Sequence, residues 1–239
     1  MIWSWIPQNL GLIEQLTLQN AYLGIVSALF GLVISVPLGV ACARWSVLYP
    51  PVLSVTSALY AVPSLALFVV LIAYTGLSDL TVIIALTLFS LCVLVPNVVD
   101  GLRSVPEPVR QAATAMGFGT LRRLWQVELP VAIPVIIAGM RVATVSSISL
   151  ASLGQLIGVS CLGYLFIDGL QRDFPTEIFL GIGLVVILAL VADGALLAIR
   201  RLLTPWQRRA RATAAPPSVL TPRQPAGQRS AQASAGAAS

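Results

Sequence analysis

Nucleophiles, acid–base pairs and metal ligands are scarce in this sequence. All 14 basic residues are arginine, and there is no histidine or lysine. Without histidine the commonest acid–base group and metal ligand is missing. Cys42, Cys92 and Cys161 stand far apart, with neither metal-ligand nor redox spacing. They read as small apolar filler. The carboxylates do not cluster, and no GxxxxGK[ST] phosphate loop is present. No enzymatic activity, cofactor, metal or nucleic-acid partner is expected. The chemistry left is that of polar groups inside apolar segments, where ionisable residues are functional candidates by default. Arg141 can pair with Asp100, with Asp193 or with a backbone carbonyl, and a structural pair is favoured over contact with a solute. Asp193 lies near the end of its segment and can snorkel to water. Pro37, Pro63 and Pro96 should kink their segments. Asn97, beside Pro96, can satisfy backbone groups that the proline frees. Tyr60, Phe68, Tyr74, Phe89 and Tyr164 are the aromatic faces available to a solute.

The elements that must position these residues are membrane spans. With 57% hydrophobic and 10% charged residues and a mean hydropathy of +0.91, the chain has too little charge to cover a soluble surface. A bilayer core needs about 20 apolar residues as helix. Five such spans are expected, near Tyr22–Ala43, Val52–Tyr74, Leu80–Val99, Val131–Ile157 and Ile178–Ile199. The fold class is therefore all-α integral membrane. Trp3 and Trp5 look like an interfacial anchor, and the N-terminus does not read as a cleavable signal. Apart from Arg141 and Arg172, every arginine falls in the loops after spans one and three or in the C-terminal tail. The positive-inside rule then places these in the cytoplasm and the N-terminus outside. Residues 1–19 read as an external segment and 20–205 as the transmembrane domain. The Ala-, Pro-, Ser- and Gln-rich stretch 206–239 reads as a disordered cytoplasmic tail, with a weak attraction to anionic membrane lipid at its arginine-rich start.

One polar island interrupts the apolar pattern, Gln111 to Pro130, within a loop spanning residues 106–130. Pro106 and Pro108 suit a first helical turn. Val109 to Met116 reads as a short Ala-rich helix ended by Gly117. Thr120 can cap a second helix, in which Leu121, Leu124 and Trp125 share one side. On physics alone, this elbow either meets a soluble partner or rests on lipid headgroups.

The spacing resembles the EAA loop of ABC importer permeases. Gln111-Ala112-Ala113 is followed by three residues and Gly117, and nine more lead to Val127, Glu128 and Leu129-Pro130. Gln111 replaces the family glutamate and Val127 an isoleucine. Further strings resemble the osmoprotectant subfamily: Val62-Pro63-Ser64-Leu65, Ile133-Pro134-Val135-Ile136, Ala138-Gly139-Met140-Arg141 and Ala192-Asp193. The resemblance implies a permease for glycine betaine, choline or carnitine, with a methionine or sulfonate permease as the alternative. It implies that Gln111, Ala112, Ala113, Gly117, Val127, Leu129 and Pro130 form a coupling loop that docks on a separate ABC ATPase dimer. It also implies a second permease, identical or homologous, and a periplasmic or lipid-anchored substrate-binding protein. Tyr60, Pro63, Asn97, Arg141 and Asp193 are then candidates for the pathway of the small-molecule solute. Tyr164, Asp168 and Arg172, in the external segment, are candidates for the binding-protein dock. An ATP-independent transporter or channel would show internal repeats, and none is visible.

Overall fold

The computed structural model describes residues 5–204, and all regular structure there is helical. The expected tail, 206–239, lies outside the described residues. A single turn, α1 (Trp5–Gln8), precedes α2 (Leu10–Arg44), α3 (Tyr49–Ala61), α4 (Ser64–Thr75) and α5 (Asp79–Arg103). The island forms α6 (Glu107–Ala115) and α7 (Thr120–Arg123). Then come α8 (Leu129–Ala151), α9 (Gly163–Gln171) and α10 (Pro175–Leu203).

Four helices are long and apolar enough to cross a bilayer: Leu10–Arg44, Asp79–Arg103, Thr120–Ile157 and Pro175–Leu203. The first begins well before Tyr22, so residues 10–19 of the expected external segment belong to the same helix as the span. Ile13, Leu16 and Asn20 face inward at helical spacing, while Glu14 and Gln15 are exposed. The apolar run therefore marks only part of an amphipathic helix that continues beyond it. Trp5 is half-buried and meets Phe174 edge-on at 6.2 Å, so it packs on the protein.

The expected second span is broken. Helices α3 and α4 meet at 96° around Val62 and Pro63. Val62 is extended (φ −67°, ψ 129°), as a residue before proline tends to be. The break still carries the chain from one end of the bundle to the other. Tyr49, at the start of α3, lies under the Arg103 guanidinium at 4.8 Å, and Asp79, just after α4, accepts a hydrogen bond from Gln19 at 2.7 Å. Pro37, Pro96 and Pro134, by contrast, sit inside unbroken helices.

The core is stacked along α5, which packs against α2 and α8. One cluster gathers Leu23, Phe68, Val82 and Cys161; the next holds Ala28, Leu94 and Met140; a third, near the elbow, holds Val98, Leu102, Ala132 and Ile136. Small residues set the helix spacing, because lipid gives no hydrophobic drive to helix association and contact depends on close approach. A Cβ on Gly24 would lie 2.7 Å from Ile148 Cγ1 and 2.9 Å from its Cα. One on Gly11, in the same helix, would meet nothing within 4 Å. Gly24→Leu should therefore destabilise the protein by about 1–3 kcal/mol through overpacking, and Gly11→Ala should not. Thermal unfolding of the detergent-purified variants checks this, and equal midpoints would refute the packing account.

Candidate functional site

The elbow is built from the end of α5 to the start of α8. Pro106 occupies the N-cap of α6 and Pro108 lies in its first turn. The helix ends on Gly117, at φ +80°, a left-handed conformation that costs a side-chain-bearing residue about 1–2 kcal/mol. Gly117 N–H donates to Thr114 O at 3.0 Å and Phe118 N–H to Ala113 O at 3.1 Å, which closes the helix end in a Schellman pattern. Thr120 does not cap α7. Gly119 holds that position, extended (φ −64°, ψ 160°) and with its carbonyl accepting from Arg123 N–H at 2.9 Å. Thr120 is already the first helical residue.

Downstream of α7, a π-helical turn (Leu124–Glu128), in which Leu129 N–H reaches back to Leu124 O, leads directly into α8. The second arm of the elbow is thus one continuous rod with a membrane span, Thr120–Ile157. The π turn contains Val127 and abuts Leu129-Pro130, where the motif ends. Pro130 has no N–H to give, and such turns recur where helices carry function.

Salt bridges stiffen the elbow. Glu128, only 13% exposed, accepts from Arg123 Nε at 2.8 Å and faces Arg110 Nε at 3.9 Å. Arg123 Nη1 also donates to Thr114 Oγ1 at 3.1 Å, joining the two arms. Arg110 Nη2 donates to Leu102 O at 2.6 Å, tying α6 to the end of α5. Of the expected coupling residues, Gln111, Ala112 and Gly117 are exposed, Ala113 is buried, and Val127, Leu129 and Pro130 are half-buried. Leu121, Leu124 and Trp125 do not share one environment. Leu124 packs against Val98, Leu102 and Ile136, while Leu121 and Trp125 stand 71% and 64% exposed, as Met116 does at 68%. The outer surface of the elbow thus sets exposed apolar side chains among exposed polar ones, including Gln111, Thr114, Arg122 and Gln126.

The intramembrane candidates separate. Arg141 and Asp193 form a bidentate pair, Nε–Oδ1 and Nη2–Oδ2 both 2.6 Å, which joins α8 to α10. Asp100 is not the partner. Asn97 Nδ2 donates to Val93 O at 2.8 Å, one residue along from the Cys92 carbonyl that Pro96 leaves without its donor. Asn97 also fills the space over Gly139, where a Cβ would lie 2.5 Å from its own. Tyr60 is exposed and meets Phe89 edge-on at 6.0 Å, one turn before the Pro63 break. Neither of the two cavities at the elbow is lined by any of these residues.

At the far end, Asp168 pairs with Arg172 at 3.1 Å; Arg172 is exposed, but Asp168 is 14% exposed and Tyr164 is packed beside Leu16. Glu177, which spacing alone does not single out, is fully buried, close to Asp168 and Arg172. It lies against Gly169, where a Cβ would sit 3.2 Å from that of Glu177. The Cys161 thiol donates to Ser152 O at 3.4 Å, and burial pushes its pKa up.

The sequence profile of the binding-protein-dependent transport system inner membrane components matches residues 35–209. The chain belongs to this family. It is 33% identical over 206 residues to the osmoprotectant import permease protein OsmW of Salmonella typhimurium, covering 84% of this chain and 96% of that one. It is 30% identical over 207 residues to the glycine betaine/carnitine/choline transport system permease protein OpuCD of Bacillus subtilis, covering 86% and 90%. Its fold matches a chain of the MetNI methionine ABC transporter in inward-facing conformations, with a TM-score of 0.72 at 22% identity, covering 85% of this chain and 100% of that one. It is thus a multi-pass inner membrane transport component.

For such a component the Arg141–Asp193 pair is a fastening between spans. Arg141→Ala and Asp193→Asn should each lower stability by about 1.5–3 kcal/mol, the range for hydrogen bonds to charged groups. The exchanged pair, Arg141→Asp with Asp193→Arg, should recover part of it. Unfolding midpoints of the three variants test the assignment, and a double variant worse than the sum of the singles would count against it.

Proposed function

We propose that this chain is the transmembrane permease subunit of an ATP-driven ABC importer, and that its elbow is the surface on which a separate ATPase dimer acts. One observation carries the reading: α7, the π turn and α8 form a continuous rod that the Glu128 salt bridges fasten to α6 and, through Arg110, to α5. A push on the exposed Gln111–Gly117 arm therefore reaches two core helices at once. ATP-driven closure of the ATPase dimer would shift the permease between inward- and outward-facing states, a two-state equilibrium biased by nucleotide. Gln111 meets the ATPase through shape and hydrogen bonds, without the family's charge. The arginine bias puts the elbow in the cytoplasm and the N-terminus outside, with residues 206–239 as a cytoplasmic tail.

The solute in this reading is an osmoprotectant of the glycine betaine, choline or carnitine class, supported by relatives at 30% identity or more that are named for these compounds. The methionine transporter, at 22% identity, speaks for the fold alone. The pathway candidates Tyr60, Pro63, Asn97, Arg141 and Asp193 line neither cavity at the elbow. In this reading the path runs between this permease and a second one, identical or homologous, around a twofold axis. The exposed aromatic face of Tyr60, beside the broken span, suits a methylated cation, which cannot donate hydrogen bonds. Arg141, fully engaged by Asp193, is a fastening and takes no part in solute contact. Tyr164, Asp168 and Arg172 mark the end where a periplasmic or lipid-anchored substrate-binding protein docks, with Arg172 its most accessible group.

Gly117→Val should leave the permease inserted in the membrane but lower ATPase stimulation and uptake at least tenfold, because a β-branched residue is strained at positive φ. Gly119→Ala, at negative φ, should leave both near wild type. In vesicles carrying the permease, its ATPase and its binding protein, labelled glycine betaine or choline should enter and methionine should not. Normal coupled uptake by Gly117→Val would sink the coupling assignment; uptake of methionine alone would sink the solute assignment.

A further inference from the structure

The elbow does not close flush against the membrane helices. A cavity of about 690 Å³ lies between it and the last turn of α2. Val40, Ala43, Leu102 and Leu124 give it an apolar wall, and Arg44, Arg110 and Arg123 face it from the other elements. The carboxylate that lines it, Glu128, is already shared between Arg123 and Arg110. Arg110 also faces Glu107 at 3.9 Å, so three guanidinium groups meet two carboxylates and a surplus of one positive charge remains. Donors there are also unspent. Arg44 makes no hydrogen bond or ion pair with a described residue, and Arg110 Nε is buried with no hydrogen-bond partner.

The cavity sits where a span ends. Trp45, also on its lining, follows Arg44 directly and is 58% exposed, with Val47 beyond it 83% exposed. An exposed tryptophan at a helix end marks the headgroup level of a bilayer. Guanidinium groups match phosphate oxygens with paired donors. Basic pockets between spans at this level take up anionic headgroups. A small soluble anion would use the arginines and leave the apolar wall and Trp45 without a role. An amphiphile uses both.

We propose that this cavity binds the phosphate of an anionic phospholipid, seated between the last turn of α2 and the elbow. The lipid would brace the elbow against α2 and so couple the lever to the composition of the membrane. The site stands apart from the identity of the solute and of the ATPase, because it is built from this chain alone.

The test is native mass spectrometry of the full-length chain in mild detergent, titrated with phosphatidylglycerol or phosphatidylcholine. The wild type should retain one phosphatidylglycerol in clear preference to phosphatidylcholine. Arg44→Gln, at an exposed position whose loss does not threaten folding, should cut that preference by about fivefold. Arg44→Gln with Arg110→Gln should abolish it, with gel filtration confirming a folded protein. Arg208→Gln with Arg209→Gln, in the basic tail, should leave it unchanged. Equal retention of the two lipids by the wild type, or loss of preference only in the tail variant, would overturn the site. Displacement of phosphatidylglycerol by millimolar inorganic phosphate would show that the arginines serve a free phosphate, and would overturn the lipid assignment.

Discussion

Close approach of backbones around α5 is the constraint on which the rest of the molecule depends. In a bilayer, apolar side chains gain nothing by leaving lipid for one another, so helices hold together through contact and interhelical hydrogen bonds. Here α5 is gripped from both sides. Cβ atoms on Gly31 and Gly39 of α2 would lie 2.7 Å from Ser90 and 2.5 Å from Val98, and one on Gly139 of α8 would strike Asn97. Hydrogen bonds join the same helices: Thr87 Oγ1 donates to Ser27 O at 3.2 Å, Asn20 Nδ2 to Ile148 O at 3.0 Å, and the Ser90 and Ser147 hydroxyls meet at 3.2 Å. Helices α2, α5 and α8 therefore form a closely fitted core. Around it, α10 exposes much of its length, including Phe179, Val186 and Leu190.

The position of the elbow gains its meaning from this core. It joins the end of α5 to the start of α8, two helices already locked together. Part of its polarity is spent internally: Glu128 collects Arg123 and faces Arg110, while Arg122 bonds Gln126 and lies over Phe118 at 4.6 Å. It also turns apolar surface outward at Met116, Leu121 and Trp125. The Arg141–Asp193 pair extends the same economy to α10, since each group neutralises the other where lipid would tolerate neither alone.

Much of this was legible in advance. The lack of histidine, the low charge and five apolar runs led to an all-α membrane protein of transport type, and the family match agrees. The Gln111–Pro130 spacing led to the elbow, and the glycine at position 117 was expected to end its first helix. Other expectations failed for local reasons. Thr120 reads as a cap by residue type, yet Gly119 before it takes the extended conformation that a cap requires. Leu121, Leu124 and Trp125 share a side by helical arithmetic, but the π turn and the core beneath draw only Leu124 inward. Residues 10–19 read as part of an external segment, yet they continue the first span's helix, with Ile13, Leu16 and Asn20 on a single buried face.

Composition and spacing determined by themselves what this chain is made to live in and where its polar elbow lies, because hydropathy and a motif are properties of neighbours in sequence. Only the tertiary structure decided which charges meet. Arg141 had three partners open to it and took Asp193, 52 residues away. Glu177 became buried because α9 folds back against α10 with Gly169 at the contact. Three arginines from separate elements came to face one cavity because α2 ends where the elbow begins. Such pairings depend on how helices pack across the bundle, and no local pattern records that.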